Sequence, residues 1–140
     1  ETLPADMTVP EAIAVLEAGR HRIYPVIDQA GRPVGLMSRA DALRWSVEGG
    51  HDEERLFDRL SDAALPTIHP DDVVARAVDV MLANDMARLP VTDRGTGRLI
   101  GLLTRKHLLQ VRKMTAVHED KRQRIFKPDR LARRMRRRPR

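Results

Sequence analysis

Two four-residue segments combine a hydroxyl, one or two cations and a third polar side chain at the start of a predicted helix. They are Ser-Arg-Ala-Asp at residues 38–41 and Thr-Arg-Lys-His at residues 104–107. The free N–H groups and the positive dipole at a helix start attract phosphate, and a carboxylate accepts charge-assisted hydrogen bonds of about 1.5–3 kcal/mol each. Asp41 provides that carboxylate in the first segment, whereas His107 offers a single acceptor nitrogen in the second.

The same pattern also has a purely structural interpretation. Ser38 followed three residues later by Asp41 is a capping box, which satisfies the backbone at a helix start whether or not a ligand binds. Capping and ligand binding are compatible, so the sequence leaves both roles open.

Both segments belong to a duplicated stretch of sequence. PVGLMSRADAL at residues 33–43 returns as LIGLLTRKHLL at residues 99–109, and the Pro-Val pair of residues 25–26 returns 65 positions later. One extra residue in the second turn then shifts the offset to 66. A duplication of this length predicts two similar lobes.

Each copy contains the same order of periodic patterns. Apolar residues at helical spacing come first, opened in the first copy by a predicted capping box of Thr8 and Glu11. Two short strands joined by a tight turn follow, and then a second helix. The predicted elements are helices from about 9 to 16, from 38 to 47, from 72 to 82 and from 105, strands 24–28, 32–37, 89–93 and 98–103, and a short strand at 66–69.

The predicted fold class is therefore α/β (α+β), with two pseudo-symmetric β-α-β-β-α units. One sheet with two helices on a single face cannot bury both sides of its apolar strands, so the two units are predicted to pack face to face. We expect a first unit at residues 1–48, a connector at 49–65 with a helical turn near 55–60, a second unit at 66–118 and a tail at 119–140.

Composition excludes several classes of protein. The chain has no cysteine, which rules out disulfides and thiolate metal sites. Its five histidines show no metal-ligand spacing, and no stretch reaches the 18 apolar residues of a membrane span. No nucleophile and base occur in a recognisable catalytic context. We therefore predict a protein that is not an enzyme and requires no metal.

The charge is divided unevenly along the chain. Residues 121–140 carry eleven Lys or Arg and one Asp, a net charge of +10, whereas residues 1–120 carry a net charge of −4. A basic segment of this kind is either solvated, in contact with anionic lipid or bound to nucleic acid. Nucleic acid is the least favoured partner because Phe126 is the segment's only aromatic residue for base stacking.

The duplicated pattern resembles a tandem CBS domain pair, also called a Bateman module, over roughly residues 2–115. The resemblance rests on a strand with Pro-Val, an Asp, a Gly-Arg turn and a Gly-x-x-[Ser/Thr]-Arg-x-x-x-Leu run, which occur twice in order. A narrower likeness, carried by RHRIYPVIDQAGRPVGLMSRADALRW and GLLTRKHLLQVR, is to the cytoplasmic C-terminal part of bacterial ClC-type chloride channels and transporters.

The resemblance implies that adenine nucleotides such as AMP, ADP or ATP bind in the cleft between paired lobes. In one pocket the aspartate and the hydroxyl residue would bind the ribose, and the implied residues are Ser38, Arg39, Asp41, Met86, Ala87 and Arg88. The other pocket would combine Thr104, Lys106 and His107 with Thr8, His21 and Arg22. Because His107 replaces the aspartate, that pocket is expected to recognise ribose poorly while still attracting phosphate.

The resemblance also implies a homodimer and a transmembrane channel or transporter domain on the same polypeptide, at the cytoplasmic face of the bacterial inner membrane. Regulation would be thermodynamic linkage between ligand binding and the arrangement of the lobes. Three alternatives remain. They are a dimerisation module with empty pockets, a CBS pair of another transporter or enzyme, and a nucleic-acid-binding regulator that uses the basic tail.

Overall fold

The chain divides into two compact units, residues 1–65 and the residues from 66 onward, which we call the first and second units. The computed structural model describes residues 1–60, 62–108 and 110. Predictions that concern residues 111–140, including the basic tail, lie outside the described residues. Each unit combines short strands with helices, which confirms the predicted mixed α+β fold, and the face-to-face packing of the units stays a prediction.

The first unit has the predicted β-α-β-β-α order followed by one further turn of helix. Its elements are β1 (Leu3–Pro4), α1 (Val9–Ala18), β2 (Ile23–Ile27), β3 (Pro33–Ser38), α2 (Arg39–Glu48) and α3 (Leu56–Arg59). The three strands form one sheet in the order β1-β2-β3, with β1 parallel to β2 and β2 antiparallel to β3.

Helix α1 begins where its sequence signals predict. Thr8 is the N-cap and its hydroxyl accepts a hydrogen bond from the Glu11 amide at 3.4 Å, which is one of the two bonds of the predicted capping box. Pro10 occupies the first turn, where its missing N–H costs nothing. The helix buries the apolar face expected from its periodicity, namely Val9, Ala12, Ile13 and Leu16.

Part of the predicted connector is paired with the start of the first unit. The amide of Leu56 donates to Met7 O at 2.7 Å and that of Phe57 donates to Ala5 O at 2.9 Å. Leu56 is completely buried in the core of the first unit. The helical turn predicted near residues 55–60 is confirmed as α3.

The second unit contains α4 (Val74–Asn84), β4 (Arg88–Thr92) and β5 (Leu99–Thr104), and residues 105–108 and 110 are helical. The strand predicted at 66–69 is a single parallel bridge between Ile68 and Val91, at the positions that match Leu3 and Val26 in the first unit. Helix α4 begins two residues later than predicted. Val73 occupies its N-cap and offers no side-chain acceptor, unlike the matching Thr8.

Each unit has its own apolar core. The first core includes two aromatic residues, Tyr24 and Trp45, together with Leu3, Leu16 and Leu56. Among the described residues, the second core is built of aliphatic residues and methionine, including Ile68, Met81, Leu89, Val91 and Leu103.

Candidate functional site

The serine and aspartate singled out from the sequence lie at the start of α2, where β3 ends. The Ser38 amide donates to Asp41 Oδ2 at 2.8 Å, and the Asp41 amide donates to Ser38 Oγ at 3.1 Å. This reciprocal pair is a complete capping box, so the structural role predicted for the pattern is confirmed.

The Asp41 carboxylate keeps acceptor capacity beyond the cap. Its Oδ1 accepts from Arg44 at 2.9 Å, and its side chain is 25% exposed. An ionised carboxylate offers about four lone-pair sites, of which these two hydrogen bonds occupy two. Arg44 is 58% exposed and its ion pair with Asp41 is of the weak surface kind. A ligand hydroxyl could therefore donate to Asp41 without breaking the helix cap.

Arg39 binds the loop between α1 and β2. Its guanidinium donates to His21 O at 3.2 Å and also to Gly19 O, while its backbone amide donates to Arg22 O at 2.9 Å. The structure thus brings His21 and Arg22 beside Arg39 at the end of the sheet where α2 begins. To contact a phosphate, the exposed guanidinium would exchange its carbonyl partners for the ligand.

Tyr24 packs against this loop through its contacts with Gly19 and His21, and the sequence did not indicate this role. Its ring meets the His21 ring edge to face, with centroids 5.7 Å apart and planes at 63°. Its hydroxyl packs so closely on Gly19 that a Cβ there would overlap it. Tyr24 is 1% exposed, and none of the described residues hydrogen-bonds its hydroxyl. The one available signal was a lone tyrosine in an otherwise aliphatic strand.

In the second unit, His107 takes over the capping role of the aspartate. The Thr104 amide donates to His107 Nδ1 at 3.3 Å, and the His107 amide donates to Thr104 Oγ1 at 3.3 Å. Because Nδ1 accepts, the ring proton of the neutral imidazole is assigned to Nε2. The substitution between the two copies thus preserves the cap while exchanging a carboxylate for an imidazole.

The other predicted residues of the second unit surround the same helix start. The Arg105 amide donates to Ala87 O at 3.2 Å, which repeats the bond between Arg39 and Arg22. Arg88 pairs with Thr104 in the β4–β5 register, and Met86 is partly buried against the second core. Lys106 is exposed. The predicted combination of residues from both units into shared pockets stays a prediction.

Two general features of the described residues bear on the function. No three of their His, Asp or Glu side chains are placed to hold a metal ion. None of their helices is both long enough and apolar enough to span a membrane.

Two β-α-β-β-α units with a capped, polar helix start in each copy define a duplicated α+β module. The CBS domain profile matches residues 1–48 and 60–113, so the chain belongs to the CBS domain family and contains a tandem pair. It is 30% identical over 125 residues to an inosine-5′-monophosphate dehydrogenase of Methanocaldococcus jannaschii. The match covers 89% of this chain but spans only 24% of that enzyme.

Solved structures share the fold at lower identity. A crystal structure of CBSX2 in complex with AMP has a TM-score of 0.67 and 22% identity, and the match covers 83% of this chain and 89% of that one. The cytosolic domain of the Mg²⁺ channel MgtE in complex with ATP has a TM-score of 0.63 and 24% identity, over 79% and 44% of the two chains. These likenesses establish the fold.

Proposed function

We propose that this CBS pair is a regulatory module that binds an adenine nucleotide through Ser38 and Asp41. The observation that carries the proposal is the Asp41 carboxylate, which caps α2 and still has spare, partly exposed acceptor sites. Support comes from the AMP and ATP complexes of two proteins with the same fold.

The proposed contacts follow from the chemistry of each group. Two vicinal ribose hydroxyls donate to the carboxylate, the Ser38 hydroxyl donates its own proton to the sugar, and the N–H groups at the α2 start together with Arg39 face the phosphate. Met86, Ala87 and Arg88 complete this pocket in the proposal. The pocket of Thr104, Lys106 and His107 with Thr8, His21 and Arg22 binds the nucleotide more weakly because it lacks the carboxylate.

Calorimetric titration of the chain with AMP, ADP and ATP tests this proposal. Asp41→Ala is expected to weaken binding about thirtyfold, which corresponds to about 2 kcal/mol. Asp79→Asn, which neutralises an exposed carboxylate on α4, is the matched control and is expected to bind like the original chain. Absence of detectable heat from the unmutated chain at millimolar nucleotide would refute the proposal.

We further propose that the module regulates a ClC-type chloride channel or transporter domain on the same polypeptide, at the cytoplasmic face of the bacterial inner membrane. The soluble part of a magnesium transporter, which shares the fold, supports a membrane-protein parent in general. The module acts by linkage and catalyses no reaction, since a ligand shifts the attached domain only by its differential affinity for two arrangements. Contact of the basic tail with anionic lipid stays a prediction.

A homodimer is the proposed assembly, and the exposed face of α2 supports it. Leu43 and Val47 lie one turn apart and are 69% and 80% exposed, and a second copy of the same helix would cover both. Sedimentation of the Leu43→Glu variant is expected to show a monomer, whereas Ala30→Glu, which adds the same charge at an exposed position in the turn between β2 and β3, is expected to remain dimeric. A dimeric Leu43→Glu variant would overturn this interface.

The alternative is a dimerisation module whose pockets hold nothing. The complete capping box of Ser38 and Asp41 favours it, because that geometry needs no ligand to explain it. Thermal melting separates the two functions, since a ligand that binds only the folded state raises the midpoint. A midpoint unchanged by each nucleotide at millimolar concentration selects the structural module.

A further inference from the structure

A groove of about 520 Å³ lies in the first unit, away from the start of α2. Its floor is apolar and is formed by Pro4, Ala5, Ile27 and Phe57. Phe57 is 58% exposed, which is unusual because phenylalanine is among the residues most often buried in proteins. An apolar floor left open to water favours a partner that brings apolar side chains of its own.

This groove is separate from the proposed nucleotide site. In the β2–β3 register, Ser38 pairs with Ile23 at one end, whereas Ile27 pairs with Pro33 at the other. Four residue steps at about 3.3 Å each place the groove about 13 Å along the sheet from Ser38. The two surfaces can therefore be altered independently.

The rim of the groove is acidic. Three acidic residues line it, Asp6, Asp28 and Asp58, against one basic residue, Arg55. Arg55 donates to the backbone oxygen of Asp6 at 3.0 Å, which holds the cation at the edge of the groove. Asp6 and Asp58 are exposed. Such a rim repels phosphate and attracts a cationic partner.

The chain itself contains a segment with the complementary composition. Residues 121–140 carry a net charge of +10 and intersperse their cations with Ile125, Phe126, Leu131 and Met135. Ten residues, 111–120, separate this segment from Gln110, and they span up to about 36 Å when fully extended. Covalent attachment raises the effective concentration of the segment near any groove within its reach.

We propose that the basic C-terminal segment docks in this groove, with its apolar side chains on the floor and its cations on the acidic rim. Docking withdraws the cations from other anionic surfaces, so a docked segment competes with binding to lipid headgroups or nucleic acid. The contact is sensitive to salt, because the Debye length falls from about 10 Å at 0.1 M to about 3 Å at 1 M.

A spin label at the C-terminus of the full chain tests the proposal. The sequence has no cysteine, so Arg140→Cys introduces one specific attachment site for a nitroxide. At low salt, the amide signals of Ala5, Gln29 and Phe57 are expected to be lost selectively, and 1 M salt is expected to restore them. Mixing isotope-labelled chains with spin-labelled chains shows whether the segment docks in its own chain or in a second copy.

Matched variants locate the docking surface. The rim variant Asp6→Asn with Asp58→Asn is expected to abolish the signal loss, whereas Asp62→Asn with Asp79→Asn removes the same charge at exposed positions outside the groove and is expected to retain it. Both pairs keep side-chain size, and the amide spectrum itself shows that each variant is folded.

Two results would overturn the proposal. One is signal loss that is equal in the rim variant and the control. The other is that the amide signals of the groove residues are unaffected at low salt, while the nitroxide is immobilised only when anionic vesicles or nucleic acid are added. Carbodiimide cross-linking gives an independent measure, since docking is expected to join Lys121 or Lys127 to Asp6 or Asp58.

Discussion

The two units begin their second helices with the same geometry and different chemistry. In the first, Asp41 Oδ2 accepts from the Ser38 amide at 2.8 Å, and in the second, His107 Nδ1 accepts from the Thr104 amide at 3.3 Å. Both side chains close a reciprocal cap, so capping alone does not distinguish the units. What differs is the remaining acceptor capacity, which the carboxylate keeps and the imidazole does not.

The units also differ in what covers their sheets. In the first unit, residues 54–57 form backbone hydrogen bonds with the segment that follows β1. Leu60 also packs on the face of β3, where a Cβ added to Gly35 would lie 2.9 Å from the methyl carbons of Leu60. At the matching Gly101, no described residue lies within 4 Å of a Cβ. The residues after α2 are therefore a structural part of the first unit.

Arg59 links the segment of residues 54–60 to α2 through hydrogen-bonded ion pairs. It donates to Glu54 and to Glu48 at 2.8 Å each, and its guanidinium lies 5.6 Å from the centre of the Trp45 ring. The hydrogen bonds to Glu54 and then Glu48 raise the pKa of Arg59 further above its ordinary value. The Arg59 guanidinium therefore stays protonated and keeps its charge for both carboxylate partners.

The largest expected effect in this comparison is at Leu56. Truncation to alanine removes a completely buried side chain, and such changes cost about 2–5 kcal/mol. Denaturant unfolding followed by the fluorescence of Trp45, the only tryptophan and a residue of the first unit, measures the loss. The neighbouring Phe57→Ala, at an exposed position, is the control and is expected to cost less than about 1 kcal/mol. A loss at Leu56 as small as that expected at Phe57 would show that Leu56 is not part of the first core.

A glycine pair gives the next largest difference. Gly35→Val is expected to destabilise the chain by about 1–3 kcal/mol, because the new side chain overpacks against Leu60. Gly101→Val meets no described neighbour and is expected to stay within about 0.5 kcal/mol of the original stability. Thermal unfolding followed by circular dichroism measures both variants. If Gly101→Val lowered the stability as much as Gly35→Val, the sheet face at Gly101 would have to be covered as well.

The sequence predicted the repeated core elements because their signals are local. Helical periodicity in residues 9–16 and the Pro-Val strands specified both element type and order, and the Ser38 pattern specified a cap. The sequence did not predict how residues 54–57 pair with residues 5–9, since nothing local encodes a contact between segments about fifty residues apart. The sequence also did not predict that α4 begins at residue 74, because its N-cap, Val73, has no side-chain acceptor and so gives no capping signal.

The site was predicted in its residue types but not in its arrangement. Sequence pattern identified Ser38, Arg39 and Asp41 as neighbours at a helix start. It could not show that the Arg39 guanidinium binds the carbonyl groups of Gly19 and His21, because a backbone oxygen has no sequence signature. The buried Tyr24 beneath that loop was missed for a related reason, since only the packed structure shows which strand residue lies under the loop.

The smallest expected effect is on the helix cap that His107 closes in the second unit. His107→Asp gives the second unit the acceptor of the first and places a negative charge in the first turn of a helix, which favours the folded state by about 0.3–1 kcal/mol. His107→Ala removes the hydrogen bond that His107 Nδ1 accepts from the Thr104 amide and is expected to cost about 0.5–1.5 kcal/mol. Chemical denaturation of the three chains under identical conditions is expected to rank them Asp, His and Ala in falling stability. If His and Ala proved equally stable, the His107 hydrogen bond would contribute nothing, and the two units would differ in the capping itself as well as in spare acceptor capacity.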